Sequence, residues 1–314
     1  MSIEIRNIPL GPASEMADML PVDAQATTNT YRYTVENILS TGAGNTNSGT
    51  DSRVEGQNST SSGVASHAEG QSTHATADNA HAEGQLTQAV ATGAHAEGSG
   101  SVASGISSHA EGYSCIASGL YSHAEGQQTT ASGDASHAEG QFTQAVAIGA
   151  HAEGNQTSAQ GLSSNAGGSY STADLYAEWC RGNGTGFKYG SVAFGGSITG
   201  NTPTELFLDG SFASLRFAIP TNSAWTVKIT GVAMDAAAIT ASNYLATLLI
   251  KNVAGTVSLV GSATVTSPNQ DAALSATVLA FTADNVNKSL MCTATGIAAV
   301  TTLWMIKAEF EKVF

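Results

Sequence analysis

The stretch SHAEGQSTHATADNAHAEGQ, residues 66–85, decides the fold, because the tetrapeptide His-Ala-Glu-Gly begins at His67 and again 14 residues later at His81. The same tetrapeptide recurs with this spacing in five further places, which gives seven intact copies. Degenerate copies at Arg53 and Asn165 keep the phase, so nine units can be counted. A fixed period with atypical terminal units predicts a stack of repeats that is capped at both ends.

Each unit contains two short strands. Residues 66–70 alternate small and long side chains with a period of two, which is typical of a strand, and Gly70 permits a turn with positive φ. Residues 87–93 repeat this arrangement in the second half of a unit. A coiled coil is excluded, because apolar residues never fall at heptad spacing and glycine disfavours helix. The repeat therefore predicts a parallel β-solenoid whose coils lie about 4.8 Å apart.

The interior of such a coil accepts only small residues, so the recurring Ala and Ser are predicted to face inward. Larger apolar residues then face outward and need burial against another surface, for which an identical neighbouring chain is the simplest partner. These predicted outward residues are Leu86, Val90, Val102, Ile106, Ile116, Leu120, Phe142, Val146 and Ile148.

The repeat also resembles a known family over about residues 40 to 170. The head of trimeric autotransporter adhesins of the YadA type is built from the pattern Ser-x-Ala-x-Gly-x-x. The matching positions are Ser66-x-Ala68-x-Gly70, Thr73-x-Ala75, Thr87-x-Ala89-x-Gly93 with its glycine displaced, Ser108-x-Ala110-x-Gly112 and Thr129-x-Ala131-x-Gly133. The resemblance implies a left-handed parallel β-roll that forms a homotrimer side by side. The His-Ala-Glu variant is also similar to repeats of bacteriophage fibre and head-fibre proteins, which are trimers too.

The segments that flank the repeat differ from it in composition, and we divide the chain accordingly. Residues 1–38 resemble the short amino-terminal module that attaches many phage fibres to the particle, through Pro9-Leu10, Leu20-Pro21-Val22 and a Tyr/Thr/Ile run at 31–38. Residues 39–168 form the predicted shaft. Residues 169–195, rich in glycine and aromatic side chains, are predicted to be a transition that re-registers three chains.

Residues 196–314 alternate with a strand period and are predicted to form an antiparallel β-sandwich or jelly roll. The predicted strands are Thr204 to Leu208, Ser214 to Ile219, Trp225 to Met234, Tyr244 to Val253, Val257 to Val260, Ser275 to Thr282, Ser289 to Thr295 and Thr301 to Phe310. The run at 204–211, followed by Ile219-Pro220, resembles the carboxy-terminal domain of phage tail-fibre and receptor-binding proteins. The whole chain is thus expected to be all-β.

Charge and composition exclude several classes of function. The formal net charge is −14, and no Lys or Arg lies between Val54 and Cys180, so a phosphate-binding face on the shaft is excluded. Three widely spaced cysteines imply no disulfide framework and fit a reducing site of synthesis. We identify no secretory signal and no continuous apolar run of membrane-spanning length, so we expect no membrane insertion. Because the shaft lacks basic residues, we expect no nucleic-acid binding either.

The repeated His and Glu allow two interpretations. Residues i and i+2 of a strand share a face, so each His-Ala-Glu could present two metal ligands together. Alternatively, the column is purely structural: a bare glutamate ladder would repel itself, and the histidines supply donors to carboxylates within or between chains. We expect the structural ladder, with no metal and no cofactor. Its residues are His67, Glu69, His81, Glu83, His95, Glu97, His109, Glu111, His123, Glu125, His137, Glu139, His151 and Glu153.

Catalysis has little support in the sequence. No nucleophile elbow, phosphate loop or Cys/His pair is present, and the carboxylates are regular rather than paired. We therefore expect no enzymatic activity and no autoproteolysis. Four aromatic side chains of the carboxy-terminal domain, namely Trp225, Tyr244, Trp304 and Phe310, could form a glycan platform but are expected to be core. Receptor-binding residues are expected in unassigned loops of 196–314.

Three functions are compatible with these patterns. The sequence favours a homotrimeric virion fibre of a bacteriophage, attached to tail or capsid proteins through residues 1–38 and presenting residues 196–314 to a host-surface receptor or glycan. The first alternative is a bacterial trimeric surface adhesin, which should carry a signal peptide and a membrane anchor. The second alternative is a tailspike that degrades glycans.

Overall fold

The computed structural model of the chain describes residues 44–184, 188–210, 215–237 and 239–313. The predicted attachment module at 1–38 lies outside these residues. Within the described ranges, no helix combines the length and the apolar character that crossing a membrane requires.

Two series of short strands run through the repeat region, as its period predicts. In chain order they are β1 (Thr46–Asn47), β2 (Arg53–Gln57), β3 (Thr60–Ser61), β4 (His67–Gln71), β5 (His74–Ala75), β6 (His81–Gln85), β7 (Gln88–Ala89), β8 (His95–Ser99), β9 (Val102–Ala103), β10 (His109–Tyr113), β11 (Ile116–Ala117), β12 (His123–Gln127), β13 (Thr130–Ala131), β14 (His137–Gln141), β15 (Gln144–Ala145), β16 (His151–Asn155), β17 (Ser158–Ala159), β18 (Asn165–Ser169), β19 (Thr172–Ala173) and β20 (Trp179–Asn183).

The odd-numbered strands form one parallel ladder and the even-numbered strands form another. Each residue pairs with its equivalent 14 positions away, so that His67 lies beside His81 and Ala68 beside Ala82. This arrangement confirms the parallel β-solenoid with 14-residue coils. The parallel pairing continues past residue 168 to Asn183, because Cys180 and Gly182 keep the repeat's small positions while Trp179 replaces its histidine. Much of the segment predicted to be a transition is therefore solenoid.

Only small side chains fill the inside of the coils, as predicted. Nearly every inward position holds Ala, Ser, Thr or Cys, with little or no exposure to solvent. Two of these positions vary together: coils with Gly63 have Ser66 three residues later, whereas coils with Ala77 have Ala80. The serine hydroxyl of Ser66 donates to the carbonyl of Gly63 at 2.7 Å. Interior volume is thus held nearly constant from coil to coil, which close packing requires.

Large apolar side chains project outward from the coils. Eight of the nine residues predicted to face outward are exposed, and Val102 is half-buried. Most of the exposed ones lie on the odd-numbered strands and the adjoining turns, whereas the even-numbered strands present His, Glu and Gln to solvent. The exposed apolar residues of the shaft therefore lie mainly on one side, among polar residues such as Asp78 and Asp134, and the side of the even-numbered strands is mostly polar and acidic.

The carboxy-terminal domain contains longer, antiparallel strands. They are β21 (Lys188–Thr199), β22 (Thr204–Leu206), β23 (Phe217–Ala218), β24 (Ser223–Asp235), β25 (Ala241–Val253), β26 (Thr256–Leu259), β27 (Thr264–Thr266), β28 (Val278–Asp284), β29 (Ser289–Thr295) and β30 (Thr301–Val313), with a short 3-10 helix at Ala272–Leu274. Two of these, β21 and β27, were not among the predicted strands. Part of the predicted strand from Ser214 to Ile219 lies outside the described residues.

Two antiparallel sheets of this domain enclose one core. The first, in the order β21-β30-β24-β25-β26, continues the even-numbered ladder of the solenoid, because β21 pairs with β20. The second contains β22, β23, β28 and β29. The core prediction for the four aromatic residues is confirmed. All four are at most 4% exposed: Trp225, Tyr244, Trp304 and Phe310.

A buried ion pair joins the solenoid to this domain. Glu178 occupies an inward position that holds Ser or Ala in the preceding coils, and Lys312 is the inward residue near the end of β30. Both side chains are fully buried, and Lys312 Nζ lies 2.8 Å from Glu178 Oε1. Nζ also donates to the Thr172 carbonyl at 2.9 Å and lies 4.8 Å from the Trp225 ring centre, in cation–π contact. The last coil is thus closed by a side chain 134 residues further along the chain.

Candidate functional site

The histidines of the repeat form one continuous stack along the shaft. Because equivalent residues of parallel strands lie side by side, the seven rings from His67 to His151 stack with centroids 4.7 to 4.9 Å apart. Two residues further along each strand, the glutamates form a parallel column. We call these two columns together the His–Glu ladder, and the structure brings all fourteen predicted residues into it.

The imidazoles of the ladder do not donate to the carboxylates of their own chain. In five strands the Nε2 atom lies 3.6 to 4.0 Å from Oε2 of the glutamate two residues on, which is too long for a hydrogen bond. All seven Nε2 atoms are buried and have no hydrogen-bond partner among the described residues. Hydrogen bonds from these histidines to the glutamates of a neighbouring chain stay a prediction, and within one chain the buried Nε2 atoms carry a desolvation cost.

A neighbouring column behaves differently. The side-chain amide of Gln85 donates to Gln71 at 2.9 Å, and that of Gln141 donates to Gln127 at 2.7 Å. Stacking of identical residues can thus satisfy amides, which carry both donors and acceptors. The Nε2 atoms of the adjacent imidazole column, by contrast, have no hydrogen-bond partner among the described residues.

The surroundings of the ladder disfavour the charged form of three of its histidines. Burial, followed by the neighbouring imidazoles, lowers the pKa of His67, His95 and His137 below the ordinary value of 6.5. These shifts weaken the positive charge that the three rings could offer to the glutamate column beside them.

Among the described residues, arginines pair with the glutamate column only at its two ends. Arg53 bonds to Glu55 in the first long strand. At the other end Arg181 reaches across two coils to Glu153, with Nη2 2.5 Å from Oε1. Gly167 makes this possible, since a Cβ there would lie 2.7 Å from the Glu153 carboxylate.

Between these ends, six glutamates have no Lys or Arg partner within the described part of the chain. They are Glu69, Glu83, Glu97, Glu111, Glu125 and Glu139. Like charges directly opposite one another on adjacent strands destabilise a sheet. The middle of the glutamate column is thus acidic, and a bound cation would reduce the repulsion between its carboxylates.

The carboxy-terminal sheet offers a second surface, which sequence reasoning did not single out. On the face away from the core, Val232, Leu245 and Met305 are exposed, and Val232 lies opposite Met305 across β24 and β30. Two cavities of about 300 and 340 Å³ adjoin on this face, and Leu245 lines both. The alternation of β24, β25 and β30 could have indicated this outward row. The predicted binding loops did not include it.

The fold and the ladder define a class: all-β repeat proteins in which a parallel β-solenoid of 14-residue coils continues into an antiparallel β domain. No family model matches the chain. No curated protein matches it either.

The solved structures that are similar to the chain include two phage tailspike proteins. One is a tailspike protein gp49 from Acinetobacter baumannii bacteriophage Fri1, described as a capsular polysaccharide depolymerase. It is 9% identical, with a TM-score of 0.26 over 78% of this chain and 46% of that one. The other is the tailspike protein of Acinetobacter phage vB_ApiP_P1, 8% identical, with a TM-score of 0.21 over 84% of this chain and 52% of that one. The chain spans about half the length of these proteins, and likeness at such TM-scores carries no argument about its function.

Proposed function

We propose that the chain is the subunit of a homotrimeric bacteriophage fibre exposed on the virion. In this proposal residues 1–38 attach the fibre to tail or capsid proteins, and the solenoid is the shaft. Residues 196–314 contact a host-surface receptor or glycan. The proposal rests on the repeat, on its resemblance to phage fibres and on the surface of the shaft.

The observation that carries the proposal is the apolar side of the shaft. Ile106, Leu120 and Ile148 are 48%, 40% and 56% exposed, although the interior of each coil is filled by small residues alone. These side chains share one column with Val64 and Leu162, interrupted by Asp78, Thr92 and Asp134, and several large apolar side chains exposed on one side of a protein favour an interaction site. Side-by-side association of identical coils would bury the same row three times, because each chain presents it at the same height.

The carboxy-terminal sheet supports the adhesive part of the proposal. Its exposed face carries Leu245, Leu249 and Met305 beside Lys307, and its two cavities are within the size range of small ligand sites. Three copies on one shaft would bind together, so a modest affinity at each site could still hold a particle on a cell.

Native mass tests the trimer directly. Light scattering of the purified chain should give three times the 31.7 kDa of one chain. Leu120→Glu should reduce the mass to that of one chain, because it would bury a charge in the apolar contact. Gln127→Glu, on the polar side of the shaft, should leave the mass unchanged. A wild-type mass of one chain would contradict the proposal.

Location and activity separate the fibre from its alternatives. Gold-labelled antibodies against the chain should decorate phage particles at the tail or at the head, whereas labelling of bacterial cell surfaces alone would favour an adhesin. We propose adhesion without hydrolysis, so incubation with host polysaccharide should release no new reducing ends. Release of reducing ends would favour a glycan-degrading tailspike instead.

A further inference from the structure

The His–Glu ladder gathers metal-ligating atoms in compact groups of three. In the group His95, Glu97 and His109, one atom from each side chain lies within 4.8 Å of the other two. Four more such groups follow the ladder: His109 with Glu111 and His123, Glu55 with His67 and Glu69, Glu125 with His137 and Glu139, and Glu139 with His151 and Glu153.

We propose that the ladder binds divalent transition-metal ions of the zinc class, with His95, Glu97 and His109 as one site. Two imidazoles and one carboxylate are a ligand set that zinc takes in proteins, and a fourth position stays open for water. Imidazole ligands favour zinc, copper and nickel over magnesium and calcium, which prefer oxygen alone. The inference goes beyond the proposed fibre function and does not depend on it.

Unsatisfied imidazole nitrogens are the first observation that supports these sites. Each Nε2 of the stack is buried without a hydrogen-bond partner in the described chain. A metal ion binds imidazole at a ring nitrogen, through the lone pair of that nitrogen. In the amide column beside it, Gln85 bonds to Gln71 and Gln141 to Gln127. Inward hydroxyls such as those of Thr87 and Ser108 also lack partners, but the ladder is where the unpartnered atoms are metal-ligating ring nitrogens.

Charge is the second, independent observation. The six interior glutamates repeat at the strand spacing of about 4.8 Å, and within residues 44–313 as described, arginine reaches only the two outermost members of the column. A divalent cation between a carboxylate and two imidazoles would offset this repulsion. The apolar row that would join three chains lies on the odd-numbered strands, so the ladder stays open to ions in the trimer that we propose.

The distances require a small closure on binding. Ligand atoms around a tetrahedral zinc ion with bonds of about 2.0 to 2.1 Å lie about 3.3 Å apart, compared with up to 4.8 Å here. The side chains of His95 and Glu97 are each 35% exposed, which leaves them room to rotate. Adjacent groups share residues, since His109 belongs to two of them and Glu139 to two others. At most three ions can therefore bind to one chain without sharing a ligand.

Titration of the full chain with zinc tests the proposal. After removal of metals with a chelator, calorimetry with zinc chloride should show saturable binding of up to three ions per chain, and magnesium chloride should give none. Zinc that fails to bind at concentrations well above that of the protein would overturn the proposal. Cobalt(II) provides a second readout, because coordination by imidazole and carboxylate should produce a visible absorption band that zinc displaces.

Two single variants separate these sites from non-specific binding to an acidic surface. His109→Asn disables both groups that contain His109 and should lower the stoichiometry by one ion. Glu97→Gln disables only one of them, so the group of His109, Glu111 and His123 should keep the stoichiometry unchanged. His109→Asn should remain folded, since Asn165 already occupies the histidine position of a later coil. Glu97→Gln should remain folded, since it keeps the size of a side chain that is 35% exposed. Equal stoichiometry in wild type and His109→Asn would overturn the proposal.

Discussion

Lys312→Met is expected to lower the free energy of unfolding by about 3 to 5 kcal/mol, because it leaves the carboxylate of Glu178 buried without its cation. Glu178 is fully buried, and its second oxygen accepts hydrogen bonds from the backbone N–H groups of Asp174 and Leu175 at 2.7 and 2.9 Å. The loss should be measured by chemical denaturation at constant protein concentration. A large effect would establish that the shaft and the carboxy-terminal domain are locked together at this point.

Two control variants sharpen this prediction. Lys307→Met removes a lysine of the same strand that pairs with Glu309 at the surface, and it should cost less than about 1 kcal/mol. Combining Lys312→Met with Glu178→Gln should recover most of the loss, because no buried charge is left unpaired. If Lys312→Met were as mild as Lys307→Met, the account of the junction would be contradicted.

Gly126→Ala is expected to destabilise the shaft by about 2 to 6 kcal/mol, from backbone strain and overpacking of about 1 to 3 kcal/mol each. Gly126 has a φ of +110°, which L side chains rarely adopt, and a Cβ there would lie 2.2 Å from the carbonyl oxygen of Gly140 in the next coil. Neither the carbonyl nor the coil can move away without breaking the ladder. Chemical denaturation should record the loss.

The adjacent residue gives a matched control for the glycine. Gln127 is exposed, and its side chain accepts a surface hydrogen bond from the side-chain amide of Gln141. Gln127→Ala should therefore cost less than about 1 kcal/mol. Stability of Gly126→Ala within that same range would show that successive coils do not approach as closely as the structure describes.

The fold of the repeat region was predictable because residues 14 positions apart in the sequence are neighbours in the structure. Once Ala68 is assigned to the interior, every residue 14 positions away follows it, and the structure confirms the small interior and the outward apolar residues. The position of the last coil was harder to predict from the sequence. Trp179 and Arg181 replace the His and Glu of the unit, so the tetrapeptide disappears while the backbone pattern continues.

The remaining features depend on contacts between distant residues. Glu178 departs from the Ser or Ala of its inward position, but nothing near it in sequence points to Lys312, which reaches it only after β30 inserts between β21 and β24. Likewise, the spacing of His and Glu indicated a shared face but not the distance between their atoms. That distance, longer than a hydrogen bond, turns the expected structural ladder into a candidate for metal binding.

Each 14-residue repeat should be one step of about 4.8 Å in a rod, whichever repeats lie on either side of it. Deleting residues 81–150 removes five whole coils and joins Ala80 to His151 in phase, so that β4 should pair directly with β16. Small-angle X-ray scattering should then show a folded particle shorter by about 24 Å. An unfolded variant, or a particle of unchanged length, would contradict the account.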